Sequence, residues 1–459
     1  MNDYLHIIDE KRNELKAISD YIWDNPELNY EEDKSAECAI NALKKYGFEV
    51  ETNLAGIKTA FSGTYGKGYP VIGILGEFDA LSGLGQVAGC ATKTPDGKPN
   101  GHGCGHNLLC IGSLATALAI KQYLETTKKE GTVIFFGCPA EEGGSGKAFM
   151  AKHGIFNKLD FALSWHPAAK NKVRTWGSLA NYQILYKFDG TAAHAAAFPH
   201  LGRSALDAVE LMDVGVNYLR EHIIPEARVH YAILDTGGIS PNVVQPHAEV
   251  LYLMRAPNVE QLNGIYERIN NIAEGAALMT GTKASHDFIK GCSSLVLNDT
   301  MQRLIQEIAE NTKNTATSEE EFKFAQEITE SLLQDPEADK ENPLMDKILP
   351  YDSNAASSTG STDVGDVSWN CPTAQIVGAT WVKGTLGHTW QATAQGKTNY
   401  AIDAALWCAK VLAQTAVKMI ENPSIVNKAK EEFKQKIGKG YICPIPNGLK
   451  PRSVASLAK

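Results

Sequence analysis

Five short polar clusters carry the residue types from which chemistry can be built. They are Gly76-Glu77-Phe78-Asp79, Cys104-Gly105-His106, Glu141-Glu142, Trp165-His166-Pro167 and Gly387-His388-Thr389-Trp390. Together they supply imidazoles, carboxylates and one thiol, the donor set of zinc and similar divalent ions. No Cys-x-x-Cys pair is present, which argues against a structural zinc finger. Ligands this far apart suit a catalytic centre assembled at the mouth of a sheet. Singly, each cluster has a plain reading: a His before Pro, as at His166, is more often a turn residue, and a Glu-Glu pair is usually a solvated face. Glu141-Glu142, however, is wedged between Phe135-Phe136-Gly137-Cys138-Pro139 and Gly143-Gly144-Ser145-Gly146. Cys104 sits between two histidines in a glycine-rich turn, where packing gives no reason for a thiol. The joint occurrence weighs more than any member.

The elements around these clusters follow from hydrophobic period and punctuation. An amphipathic helix is expected from Asp3 to Trp23, with Ile8, Leu15, Ile18 and Ile22 on one face and Pro26 beyond its end. A second helix is expected from Lys34 to Lys45. The runs Thr59–Thr64 and Val71–Gly76, joined by Tyr65-Gly66-Lys67-Gly68, read as a hairpin. Asn107–Thr126 has the period of a buried helix. Thr132–Gly137 and Phe161–Ser164 read as buried strands leading straight into polar residues, the pattern of a mixed α/β sheet whose site lies beyond the strand ends.

Near Asn181 the texture changes. Strand 182–188, helix 203–222, strands 228–234 and 248–255, helix 259–279 and strand 283–290 give the order β-α-β-β-α-β of a small ferredoxin-like domain. Its exposed sheet edge would be covered by pairing across a dimer. The acidic stretch 312–351 reads as a solvated helix-and-loop excursion without chemistry.

Composition sets the frame. The chain has 459 residues, 43% hydrophobic and 21% charged, enough for two domains. A net charge of −9 argues against nucleic-acid or anionic-membrane partners. Runs such as Val71–Leu75 and Val133–Gly137 are too short to span a bilayer. The N-terminus lacks the pattern of a secretory signal, and nine scattered cysteines suit reduced thiols, so a cytoplasmic location is expected.

Several strings then resemble a known family: Gly-Glu-Phe-Asp-Ala-Leu (76–81), His-Gly-Cys-Gly-His (102–106), Glu-Glu-Gly-Gly-Ser-Gly (141–146), Gly-Thr-Ala-Ala-His-Ala-Ala (190–196) and Ser-Pro-Asn-Val-Val (240–244). They are similar to the M20 metallopeptidase and amidohydrolase superfamily, in its aminoacylase-like and auxin-conjugate hydrolase branch. The strings at 199–208 and 361–369 and the tail Cys443-Pro444-Ile445-Pro446 further resemble members that hydrolyse p-aminobenzoyl-glutamate. The similarity spans nearly the whole chain.

The resemblance implies an α/β protein of two domains: a zinc-exopeptidase-like catalytic domain in two parts, 1–180 and 293–459, and an inserted ferredoxin-like α+β lid and dimerisation domain, 181–292. It implies two divalent ions, zinc or manganese, held by Cys104, His106, Glu142, His166 and His388. Asp79 would orient a ligand imidazole. Glu141 would be the general base; local sequence does not separate it from Glu142, and the resemblance does. His194, Asn242 and Arg255 would form a lid that belongs to a second subunit, with His194 stabilising the oxyanion. Asn242 and Arg255 would contact substrate, Arg255 by donating to the substrate's carboxylate, and Asp363 and Gly384 would border the cleft. Where many relatives have Asp after Cys-Gly-His, this chain has Asn107. The implied reaction is hydrolysis of an N-acyl or N-aroyl amino acid, p-aminobenzoyl-glutamate foremost. A dipeptidase, an N-acetyl amino acid deacylase, and a subunit active only in a hetero-oligomer are the alternatives. The implied assembly is a homodimer or a hetero-oligomer with a homologous subunit.

Overall fold

Apolar stripes and their interruptions decide the order of elements along the chain. The computed structural model describes residues 3–314, 317–332 and 335–452. The chain divides into two units. The first contains Met1–Trp176, Val296–Ala356 and Val367–Tyr441. Its N-terminal stripe folds not as one helix but as a short helix His6–Glu10 and then α1 (Arg12–Asp24), with Lys11 between them at φ −90°, ψ 3°. Ile8, Leu15, Ile18 and Ile22 are buried as the period requires. Next come α2 (Asp33–Lys45), β1 (Glu49–Thr52), β2 (Phe61–Lys67), β3 (Val71–Gly76), α3 (His106–Thr127), β4 (Gly131–Gly137), α4 (Gly146–Lys152), β5 (Phe161–Ala168) and β6 (Lys172–Val173).

The expected hairpin of β2 with β3 does not form. β4 lies between them, antiparallel to β2 and parallel to β3, with Gly76 opposite Gly137. The physical reason is the β3-α3-β4 crossover: it lays β4 parallel beside β3 and takes the position a hairpin partner would need. Both strands are continuous buried apolar runs, as central strands covered on two faces are. β5 extends to Ala168, so His166 stands inside a strand rather than beyond its end.

α3 is apolar nearly all round and therefore lies in the core rather than on it. Its length and composition would suffice to cross a membrane, although the short runs read from the sequence would not, and 89% of that stretch is buried.

The second unit contains Gly177–Leu295, Ser357–Asp366 and the chain from Ile442. It is built from β7 (Ala180–Asp189), α5 (Ala205–Leu219), β8 (Arg228–Asp235), β9 (His247–Ala256), α6 (Val259–Thr280) and β10 (Lys283–Cys292). The sheet order is β8-β9-β7-β10, all antiparallel. Burial alternates strictly along β9, as in a sheet covered on one face. The Ser204 and Asn258 side chains cap α5 and α6 by accepting backbone N–H groups. β8 is an edge strand, and Tyr231, Ile233 and Leu234 on it are exposed. Segment 357–366 belongs here too: Asp366 accepts the Ser293 N–H and hydroxyl at 3.0 and 2.8 Å.

The chain then returns to the first unit with α7 (Asp299–Asn311), α8 (Glu319–Glu330), β11 (Thr373–Ala379), α9 (Trp390–Gln395), α10 (Asn399–Glu421) and α11 (Pro423–Ile437). α8 is the helix expected in the acidic excursion. The large sheet reads β1-β2-β4-β3-β5-β11-β6, and β4, β3, β5 and β11 are mutually parallel. Their carboxyl ends therefore open on one edge, the place where ligands bind in such sheets.

Candidate metal centre and active site

That edge gathers the polar clusters. Glu77 and Asp79 follow β3, Glu141 and Glu142 follow β4, His166 lies near the end of β5, and His388 follows β11. Cys104 and His106 lead into α3. Gly105 between them sits at φ 75°, and a Cβ there would come within 2.9 Å of Pro167, so the turn requires glycine. His388 is also left-handed, at φ 62°, an uncommon conformation for a non-glycine residue, and its N–H donates to the Gly103 carbonyl at 2.8 Å.

Three overlapping sets have donor atoms within 4.8 Å of one another: Cys104 with His106 and His166, Cys104 with Glu142 and His388, and Glu77 with His106 and Glu141. Cys104 Sγ lies 3.4 Å from His166 Nε2, and His388 Nε2 lies 3.3 Å from a Glu142 oxygen. The adjacent glutamates thus face different partners, Glu141 towards Glu77 and His106, Glu142 towards Cys104 and His388.

The surrounding hydrogen bonds aim these donors. His106 Nδ1 meets Asp79 Oδ1 at 2.8 Å, and the other Asp79 oxygen accepts the Glu142 N–H at 2.9 Å. His166 Nδ1 donates to the Pro167 carbonyl at 2.7 Å. Both imidazoles therefore turn Nε2 inward, the usual support of a ligating histidine. His106 Nε2 and Glu77 Oε2 are buried without a hydrogen-bond partner among the described residues. Buried polar atoms left bare next to a thiol and further carboxylates fit a divalent cation.

The electrostatics agree with a site short of positive charge. Burial and the Glu142 carboxylate push the Cys104 thiol well above its ordinary value. Burial would lower His106, but Cys104 and Asp79 raise it well above the imidazole range. Burial and the His106 charge bring His166 down to about 4. Burial opposes ionisation of Glu142, yet His388 and His106 hold it down at about 2. Bound cations would take over these pairings.

Other expected residues stand elsewhere. Gly384, at φ 82°, lies against Ala338, and it lines a cavity of about 470 Å³ with Glu330, Leu332, Asp335, Leu386 and Gln391. The acidic excursion therefore contributes to the surroundings of the 384–391 loop, a part the sequence did not indicate. Asn107 donates to Ser19 Oγ at 2.9 Å and to the Gly396 carbonyl at 3.0 Å, a packing role. His102 is buried with Nε2 3.1 Å from the Ile22 carbonyl, and burial lowers it to about 3.

In the second unit, His194 is exposed, and its Nδ1 accepts the N–H groups of Ala196 and Ala197 at 3.2 Å each. With Nδ1 accepting, the ring's donor is Nε2–H. The Asn242 carbonyl accepts the Ala195 N–H, which puts Asn242 beside His194. Arg255, at the far end of β9, donates to Ser361 Oγ at 2.6 Å, in the same segment as the buried Asp363. The strand between these two groups, from His247 to Arg255, is about 25 Å long. His194 with Asn242 and Arg255 with Ser361 thus occupy opposite ends of one sheet.

Sequence reading passed over five residues of the first unit. The buried Lys147 donates to Glu77 Oε1 at 2.6 Å. Asn29 Oδ1 accepts the Gly143 N–H at 3.0 Å, the Tyr30 hydroxyl donates to the Gly144 carbonyl at 2.7 Å, and Glu32 Oε1 accepts the Ala140 N–H at 2.9 Å. The Arg174 guanidinium acts on Glu77, Glu141 and His166, its Nε lacks a partner among the described residues, and burial lowers it to about 10. Only Lys147 had a signal, as a charged residue directly after a glycine turn in an apolar stretch.

Comparison with known proteins places this geometry. Residues 73–418 match the family described as peptidase family M20/M25/M40. The chain belongs to that family. As an M20 enzyme it is a metal-dependent hydrolase of amide bonds. It is 44% identical to one of the subunits of the p-aminobenzoyl-glutamate hydrolase of Escherichia coli K12, over 97% of each chain. It is 30% identical to the Xaa-Arg dipeptidase of Mus musculus, over 94% of this chain and 91% of that one. Among solved structures, the Bacillus subtilis YxeP protein, described as a dinuclear metal-binding peptidase of the M20 family, superposes with a TM-score of 0.55 at 16% identity. The superposition covers 88% of this M20 chain and 98% of YxeP.

Proposed function

We propose that this M20 hydrolase cleaves N-aroyl or N-acyl glutamates, with p-aminobenzoyl-glutamate giving p-aminobenzoate and glutamate. The observation that carries the substrate is the 44% identity over 97% of both chains to a subunit of p-aminobenzoyl-glutamate hydrolase. The centre takes two divalent ions, zinc or manganese, on Cys104, His106, Glu142, His166 and His388. When bound, such ions polarise an amide carbonyl and lower the pKa of a water towards about 7.

The chain's own groups supply the rest. The Glu141 carboxylate takes the proton of the attacking water and returns it to the departing amine nitrogen. Asp79 keeps His106 oriented and fixes the Glu142 backbone. His194 Nε2–H donates to the carbonyl oxygen as negative charge develops there. Arg255 receives the glutamate carboxylate, for which its planar fork is suited. Asn242, Asp363 and Gly384 border the substrate. Because His194 and Arg255 stand at opposite ends of the β8-β9-β7-β10 sheet, one lid cannot bring both to one substrate. Two chains must contribute, in a homodimer or with a homologous subunit. This replaces the expectation that His194, Asn242 and Arg255 come together from one partner lid.

The identity to an Xaa-Arg dipeptidase favours a dipeptidase as the second reading. A screen of the metal-loaded protein, alone and with any co-purifying homologous subunit, separates the two. Turnover of p-aminobenzoyl-glutamate well above that of Xaa-Arg dipeptides supports the first. The reverse order overturns it.

A further inference from the structure

Once five ligands and one base are taken from the cluster, Glu77 is left over. It follows β3 directly and is buried. Oε1 accepts from Lys147 Nζ at 2.6 Å, and Lys147 is itself fully buried on α4. Oε2 lies 3.3 Å from His106 Nε2, and neither atom has a hydrogen-bond partner among the described residues.

A lysine–glutamate pair kept for stability alone gives no reason for a bare oxygen facing a bare imidazole nitrogen, because an unmade buried hydrogen bond is expensive. The contact is a loose ion pair at 3.3 Å rather than a hydrogen bond, and Asp79 already holds the ring through Nδ1. The spacing has another meaning. Oxygen and nitrogen donors on one tetrahedral zinc, at about 2.0–2.2 Å each, stand about 3.4 Å apart. Glu77 and His106 meet that separation.

We infer that Glu77 is a further metal ligand, sharing an ion with His106, and that Lys147 is a positioning residue that holds Oε1 so that Oε2 faces the ion. Lys147 also offsets the charge of the added carboxylate, whose burial unpaired would be costly. The inference rests on the two-ion reading of the centre.

The test uses the full chain, stripped by chelation and titrated calorimetrically with Zn²⁺ and with Mn²⁺, with metal content measured after dialysis. Visible absorption of the Co²⁺-loaded protein reports coordination directly. The parent chain should bind two ions. Glu77→Gln should lose one of them, or bind it at least about 10-fold more weakly, and should change the Co²⁺ bands. Lys147→Met should keep both ions but alter the Co²⁺ bands, and Lys147→Arg should restore them. Glu77→Asp, which keeps the charge and shortens the reach, serves as the second variant if Glu77→Gln melts below the parent. Two ions bound by the parent, with affinity and bands unchanged in the Glu77 variants, overturn the ligand role alone. A parent chain that binds no second ion sinks the two-ion reading, and this inference with it.

Discussion

At the scale of single residues, two neighbouring glutamates divide the labour of the site. Glu141 and Glu142 are adjacent, yet their carboxylates join different donor sets. Glu141→Gln should keep both ions and lose on the order of 10²–10⁴-fold in kcat; turnover within a few-fold of the parent would remove Glu141 as the base. Cys104→Ala should lower metal content, since Cys104 belongs to two of the three sets, and unchanged stoichiometry would strike it from the ligands. The residues of this cluster were legible in the sequence because polar types interrupt buried runs. Arg174 was not, because a buried arginine looks like any surface cation until its neighbours are known, and Lys147 had only the weak signal of a charge directly after a glycine turn.

At the scale of elements, the turn that carries Glu141-Glu142 is held from outside by residues 29–32. Asn29, Tyr30 and Glu32 meet Gly143, Gly144 and Ala140 in turn. Their sequence separation, more than a hundred residues, hides this contact from any local pattern. Glu32 also accepts the Thr59 hydroxyl at 2.9 Å. Burial, and the nearby Asp79 charge, raise Glu32 from 4.5 to about 8. The folded chain therefore keeps this proton to a higher pH than the unfolded chain does. Its stabilising contribution is full below about 4.5 and fades as pH climbs towards about 8. Glu32→Gln should flatten that decline in the metal-free protein: relative to the parent, its Tm should gain between pH 5 and pH 8. Parallel melting curves across this range would show that Glu32 is not protonated in the fold. The hairpin expected of β2 and β3 belongs to this scale as well. Two apolar runs across a four-residue glycine turn satisfy every local rule for a hairpin, and only the crossover through α3 reveals which strand β4 displaces.

At the scale of the whole molecule, the ferredoxin-like order of the second unit could be read almost element by element, because alternation along its strands and the caps of its helices are local signals. The inclusion of 357–366 in that unit could not, since it depends on a distant partner, Ser293. The separation of His194 from Arg255 makes a prediction about assembly. His194→Ala and Arg255→Ala chains should each have little activity alone. Co-expressed, they should recover about a quarter of the parent's activity, since half of random dimers are mixed and each has one intact site. No recovery would mean that both residues serve the site from a single lid. The same geometry has an evolutionary side. After gene duplication, one copy of such a chain could lose its metal centre entirely and still be retained by selection, because its neighbour would continue to depend on the lid end it presents.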